Sequence, residues 1–141
     1  FKDKQALFTE IVLDAVEALR ERLARATAGA RDDADAVERH AAALVDFAAD
    51  NRALIRVLFS GEAETTALEH DVLNTLAESI AKTRSAQGRV PSGANLGVLA
   101  QAVVGMYARV IAWWAFDPTR ATREQVIATL VHIQLRGTRS D

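Results

Sequence analysis

One segment, residues 94–115, constrains the fold more than any other part of the chain because nearly its whole circumference would be uncharged in a helix. At about 100° per residue, large apolar side chains cover one face. A strip of small residues lies roughly opposite, formed by Gly97, Gln101, Gly105, Ala108 and Ala112. A helix that is apolar on two sides needs packing partners on both. The other predicted helices of a 141-residue chain can easily cover one side of this helix, but they can hardly cover both sides.

Strong helix formers dominate the remaining sequence, and Asn-Gly hairpin signals are missing. This composition predicts an all-α fold. Chain breakers such as Ser60-Gly61, the 87–93 loop and Asp117-Pro118 divide the sequence into six predicted helices that make one domain over residues 1–141. Their predicted ranges are 4–28, 33–49, 52–59, 65–83, 94–115 and 122–136.

Residues at the predicted helix ends support these boundaries. Asp3 is a suitable N-cap for the first helix. Thr122 and Gln125 have the spacing of a capping box at the start of the sixth helix. Gly137 is a favourable residue at the end of that helix.

The overall charge and the residue types exclude several classes of function. A formal net charge of −2 does not give these 141 residues the positive field that strong nucleic-acid binding requires. There is no Cys, and the three His residues are isolated in the sequence, so we predict no metal, no cofactor and no enzymatic activity. No uninterrupted apolar run approaches the roughly 20 residues needed to span a bilayer, so we predict a cytoplasmic protein without a membrane partner.

The last two predicted helices have more apolar surface than one narrow stripe can hold. We therefore predict a homodimer in which these helices pair with their symmetry mates in a four-helix bundle. A larger monomeric core is the alternative. The predicted interface consists of Gly97, Gln101, Gly105, Ala108, Ala112, Val126, Ile127, Leu130 and Val131.

Two charged residues fall on otherwise apolar helix faces. Glu69 lies at the centre of the stripe of the fourth helix, where it either bends out to solvent or serves as a carboxylate in a pocket. Arg109 is one of very few charges on the fifth helix, and it is either exposed or paired. If Glu69 lies in a pocket, we expect its carboxylate to contact either Arg109 or a cationic ligand.

Three stretches of the chain resemble TetR-family transcriptional regulators. Residues 1–8 have an F-x-x-K-x-x-L-F pattern, which is similar to the seam where the helix-turn-helix domain of that family meets the long connecting helix. Residues 47–59 resemble the helix pair in the middle of the regulatory domain. The stretch with Trp113-Trp114, Asp117-Pro118 and a helix ending at Gly137 resembles the last two helices.

The resemblance implies a dimeric, DNA-binding regulator, usually a repressor, whose effector binds in this domain and shifts the DNA-reading heads. Residues 1–4 would be the last of a helix-turn-helix domain that lies upstream and binds operator DNA. Lys4 matches the lysine that typically touches a DNA phosphate. The excess of Arg over Lys indicates a GC-rich bacterial genome.

We predict that a small, largely apolar effector binds between the first helix and the fourth and fifth helices. Met106, Tyr107 and Trp113 provide what a pocket for an aromatic ligand requires, although packing in the core explains each of them as well. The predicted pocket residues are Phe8, Ile11, Phe47, Phe59, Glu69, Leu73, Leu76, Met106, Tyr107, Arg109, Val110 and Trp113. The alternative function is a structural or protein-interaction domain without a small-molecule ligand.

Overall fold

The computed structural model describes residues 3–137, and this part of the chain contains α-helices and no strand. The six helices are α1 (Lys4–Thr27), α2 (Asp33–Asp50), α3 (Arg52–Leu58), α4 (Ala63–Ala86), α5 (Leu96–Phe116) and α6 (Arg123–Arg136). The predicted all-α class is therefore confirmed. Every predicted boundary lies within three residues of the observed one. Phe1 and Lys2, the first residues of the predicted seam, lie outside the described residues.

Side-chain caps fix the start of four helices. The carboxylate of Asp3 accepts a hydrogen bond from the backbone N–H of Ala6 at 2.7 Å, which confirms it as the N-cap of α1. The capping box of α6 is confirmed with both of its hydrogen bonds. Asp32 caps α2, and Asn95 caps α5 by accepting from the N–H of Val98. This cap explains why α5 begins two residues later than the sequence predicts.

Helix α4 is longer at both ends than the prediction. It begins at Ala63, immediately after Glu62, whose carbonyl accepts the hydroxyl proton of Thr66 at 2.8 Å. It continues to Ala86 because no breaker precedes Gly88, which takes a φ of +67° that other residues rarely adopt. The extension matters for the site described below because it places Arg84 inside the helix.

The core surrounds α5, which packs against helices on more than one side. The main cluster joins α5 to α2, α3 and α6 around Val45, Trp114 and Leu130. A second cluster joins α5 to α4, and a third packs α1 against α3 and α4. Eight residues of α5 are buried by the chain itself.

One stripe along α5 stays uncovered in the single chain. Its residues recur every three or four positions and are all exposed: Val98, Ala102, Gly105, Arg109, Trp113 and Phe116. We call this surface the α5 stripe. Guanidinium groups partly cover its C-terminal end, because Arg120 lies over the Trp113 ring and Arg56 over the Phe116 ring.

The expectation that no segment is long and apolar enough to span a bilayer is wrong for α5. The helix has 21 residues and a mean hydropathy of 1.5 in its most apolar window, so it meets that criterion by length and composition. Gln101 and Arg109 interrupt the apolar run when it is read letter by letter, but the mean hydropathy of the window still meets the criterion. The core helix of a soluble protein meets the same criterion; in this fold 33% of the window is buried by the rest of the chain.

A two-point ion pair fixes α6 to α2. The Nη2 of Arg123 lies 2.9 Å from one carboxylate oxygen of Asp46, and its Nε contacts the other. The hydrogen bonds from Arg123 lower the pKa of Asp46 below its ordinary value of 3.8. The stability that this pair provides is therefore complete above that ordinary value, and it disappears as the pH falls through the lowered pKa.

We expect Asp46→Asn to lower the free energy of unfolding at neutral pH by about 0.5–1 kcal/mol, because the pair is partly exposed. The difference from wild type should shrink as the pH falls below 3.8, and it should vanish once the carboxyl of Asp46 in the folded wild type is protonated. Urea denaturation over a series of pH values from neutral to acidic measures this. Asp71→Asn, on the exposed surface of α4, is the matched control. Equal losses in the two variants would contradict a specific role for the pair.

Candidate functional site

A large cavity lies between α1, α2, α4 and α5. Its volume is about 1200 Å³. Protein interiors leave few voids larger than a water molecule, and pockets for small ligands typically measure roughly 300–1,000 Å³. The cavity therefore has ample room for a small organic molecule.

The interior of the cavity is apolar. Side chains from α2, α3, α4 and α5 converge there: Leu44, Phe47, Leu58, Phe59, Leu76, Ile80, Val103, Val104 and Ile111. The wall opposite α4 comes from one face of α1, with Val12, Val16, Leu19 and Leu23. A ligand in the cavity would contact both α1 and α5.

The cavity opens at one end of the bundle. Its exposed lining residues belong to the second half of α1, the loop before α2 and the end of α4; they include Glu17, Arg20, Asp32, Asp33 and Gln87. The deeper lining residues are mostly half-buried or buried. A ligand would thus enter through a polar mouth into an apolar interior.

Asp35 holds the loop beside this mouth. Its carboxylate accepts hydrogen bonds from the backbone N–H of Arg31 and from the Nε of Arg39, both at 3.0 Å. The backbone bond from Arg31, followed by the bonds from the side chains of Arg31 and Arg39, lowers the pKa of Asp35 to about 2. Asp35 therefore remains ionised at any physiological pH and fixes the connection between α1 and α2.

Inside the cavity, Tyr107 and His40 form a polar pair on the wall. The hydroxyl of Tyr107 donates to the side-chain oxygen of Gln134 at 2.7 Å, and burial raises the pKa of Tyr107 to about 12. The His40 ring stands nearly perpendicular to the Tyr107 ring, with 5.6 Å between the centroids. Among residues 3–137, no hydrogen bond to the His40 ring is found. Its nitrogens are therefore free to bind a ligand in the cavity.

Arg84 is a positively charged residue of the cavity lining that could bind an anionic group of a ligand. It is half-buried on α4 and lines the cavity. Burial and the positive charge of Arg89 lower its pKa, and burial followed by the charge of Arg84 lowers the pKa of His40. His40 is therefore neutral at pH 7, and Arg84 supplies the positive charge at this position.

The structure brings five of the predicted pocket residues to the cavity wall: Phe47, Phe59, Leu73, Leu76 and Tyr107. The others lie outside it: Phe8, Ile11, Glu69, Met106, Arg109, Val110 and Trp113. The reason is rotation about the helix axes. The cavity faces Val104, Tyr107 and Ile111 on α5, whereas Trp113 is on the α5 stripe. On α1 the cavity faces Val12, and Ile11 beside it is 47% exposed.

Glu69 and Arg109 do not meet. Glu69 is half-buried on α4, Arg109 is exposed on α5, and no ion pair joins them in the part of the chain that the structure describes. The pocket role proposed for Glu69 therefore finds no geometric support.

The residues of the predicted dimer interface are divided among three environments. Gly97, Gln101 and Gly105 are exposed, as an interface requires. Ala112, Val126 and Leu130 are buried within the single chain, and Leu130 has no exposed surface. Ala108 lines the cavity, while Ile127 and Val131 are half-buried beside the core. An interface on α5 must therefore use the α5 stripe instead of the buried residues.

Sequence reasoning missed His40 and Arg84, although both left a signal. His40 stands at helical spacing between Val37 and Leu44 on the apolar face of α2. Arg84 continues the spacing of Leu73, Leu76 and Ile80 on α4, but the predicted helix ends one residue before it. Neither belongs to a metal centre, since no group of three or more suitable ligands occurs among residues 3–137.

Comparison with known proteins adds no relative: no protein-family model matches the chain, and no curated protein was found to be similar to it. Lys4, the residue that the resemblance connects with DNA, is exposed at the first position of α1.

Proposed function

We propose that this chain is the effector-binding and dimerisation domain of a ligand-responsive transcriptional regulator that resembles the TetR family. The observation that carries the proposal is the cavity of about 1200 Å³, which has an apolar interior and a few polar groups on its wall. Such a combination is typical of small-molecule sites. The family pattern at residues 1–8 connects the site with DNA binding, because it places the seam to a DNA-reading head at the start of α1.

The position of α1 suggests how the ligand would act. One face of α1 forms a wall of the cavity, and the same helix begins at Lys4, next to the seam. A ligand that contacts α1 and α5 together would favour one tilt of α1 over another. An effector can shift such an equilibrium only by its different affinities for the two states, which commonly amounts to about 1–3 kcal/mol.

The regulator would work as a homodimer, with the α5 stripe as the surface between the two copies. Val98 is 68% exposed, and the residues Trp113 and Phe116 are 41% and 45% exposed. Gly105 in the middle of the stripe has no other atom near the position of a Cβ, so a partner helix can approach closely there.

The test is binding of the full natural protein, including any residues upstream of Phe1, to DNA from beside its own gene. We expect tight binding that weakens steeply between low and moderate salt, because phosphate contacts release counterions. Fluorescence anisotropy of labelled DNA measures it, and the 141-residue chain and a scrambled DNA are the controls. Absence of salt-sensitive, sequence-dependent binding would refute the proposal.

The alternative is a protein-interaction domain, and the α5 stripe is the observation that favours it. An exposed apolar surface of this kind marks a contact with another protein. The same experiment distinguishes the two functions. A protein-interaction domain is not expected to bind DNA, and a ligand in its cavity would have no DNA binding to change.

A further inference from the structure

The polar groups that line the cavity are not evenly placed, and their arrangement indicates the chemistry of the ligand. The mouth holds both acids and arginines, and most of these charges already have partners. Arg89 and Asp33 form an ion pair at 3.1 Å. Arg20 and Glu17 form another at 3.7 Å. The carboxylate of Asp32 caps α2 by accepting from the backbone N–H of Asp35.

Arg84 differs from these arginines. Among residues 3–137, no carboxylate lies within ion-pair distance of its guanidinium, and no hydrogen bond to it is found. Asp33 attracts it from a greater distance, but Asp33 is already bound to Arg89. A half-buried guanidinium without an anion is unfavourable, because the charge has lost water without gaining a partner.

His40 lines the same cavity as Arg84, and its ring lies against the ring of Tyr107. A neutral imidazole can donate one hydrogen bond from its N–H. Arg84 presents a planar fork of N–H donors that matches the two oxygens of a carboxylate. Both groups therefore offer donors to an anion inside the cavity.

We propose that the cavity binds a small apolar carboxylate, with its carboxylate against Arg84 and His40 and its hydrocarbon part among Leu44, Phe59 and Ile111. This inference rests on the proposed function, because it names the ligand class of the same cavity. It adds a charge to the effector, which the sequence alone indicated only as small and largely apolar.

The experiment compares two probes of the same chain length, decanoate and decan-1-ol, by isothermal titration calorimetry on the 141-residue protein. We expect decanoate to bind at least about tenfold more tightly than decan-1-ol, because charge-assisted hydrogen bonds are the strong ones. The affinity for decanoate should fall as salt is added, and that for decan-1-ol should not.

Variants assign the preference to Arg84. Arg84→Gln should weaken the affinity for decanoate about ten- to a hundredfold and leave the affinity for decan-1-ol unchanged. Arg84→Lys should keep part of the preference, because it keeps the charge but loses the fork. Lys82→Gln removes the same charge from the exposed side of the same helix and should bind decanoate as wild type does. Circular dichroism verifies the fold of each variant.

Equal affinity for the two probes, an unchanged affinity for decanoate in Arg84→Gln, or no binding of either probe would overturn the inference. If Arg84→Gln does not fold, the salt dependence of wild type and the affinity of Arg84→Lys decide the question. The proposed function is judged separately, by the binding of the full protein to DNA. A cavity that binds decan-1-ol as well as decanoate would refute the anionic ligand and leave the regulator intact.

Discussion

Substitution of Ala108 by Phe should reduce the affinity of the cavity for both decanoate and decan-1-ol by at least about a hundredfold, or roughly 2.7 kcal/mol. Ala108 is on α5, where it lines the cavity and is only partly buried. A phenyl ring at this position would occupy space that the ligand needs. Because it fills an apolar void, the melting temperature should stay the same or rise. Calorimetric titration and thermal denaturation give the two measurements.

The matched control is Ala67→Phe, which adds the same ring to the exposed surface of α4 and should leave both affinities unchanged. Ser79→Phe fills the cavity from the α4 wall and replaces Ala108→Phe if that protein does not fold. Undiminished binding in a folded cavity-filling variant would show that the probes bind elsewhere. Arg84→Gln, by contrast, should affect decanoate alone, so the two variants separate the volume of the cavity from its charge.

Leu130→Ala should lower the free energy of unfolding by about 2–5 kcal/mol. Leu130 has no exposed surface in the single chain, where it packs in the main cluster between α2, α5 and α6. The substitution leaves a cavity that the surrounding helices fill only partly. Urea denaturation followed by circular dichroism measures the loss, at two protein concentrations so that any contribution from subunit association is recognised.

Leu135→Ala on the same helix is the control for this prediction. Its side chain is 41% exposed, so the loss should stay below about 1 kcal/mol. Sedimentation equilibrium of both variants addresses the interface directly. If Leu130→Ala dissociated a dimer without destabilising the subunit, Leu130 would belong to an interface after all, against its burial in the chain.

The helices themselves could be predicted because their signals are local. Asp3, Thr122 and Gly137 act within a few residues of their own position, and the structure has a helix end at each of them. The pocket was predicted less well because it depends on the rotation of each helix about its axis. A rotation of about 100° separates neighbouring positions. It places Val12 in the cavity wall and Ile11 outside it.

Leu130, which we predicted for the dimer interface, lies within the core of the single chain. The breadth of apolar surface on α6 correctly indicated burial, but it could not indicate what covers the helix. In the structure α2 covers it, and the pair formed by Arg123 and Asp46 holds the two helices together across 77 positions of the sequence. A contact between such distant residues leaves no pattern in either segment alone.

The sequence by itself determined that the protein is all-α, where its six helices begin and end to within a few residues, and that α5 is the helix to be buried. Those properties follow from propensity, capping and apolar periodicity, which act over a few turns of helix. Only the tertiary structure decided which face of α5 remains exposed, that a cavity lies beside Tyr107, and that His40 and Arg84 both line it. These properties depend on how helices far apart in the sequence pack together. That packing is determined by the apolar faces of all the helices at once, so no single segment contains the information.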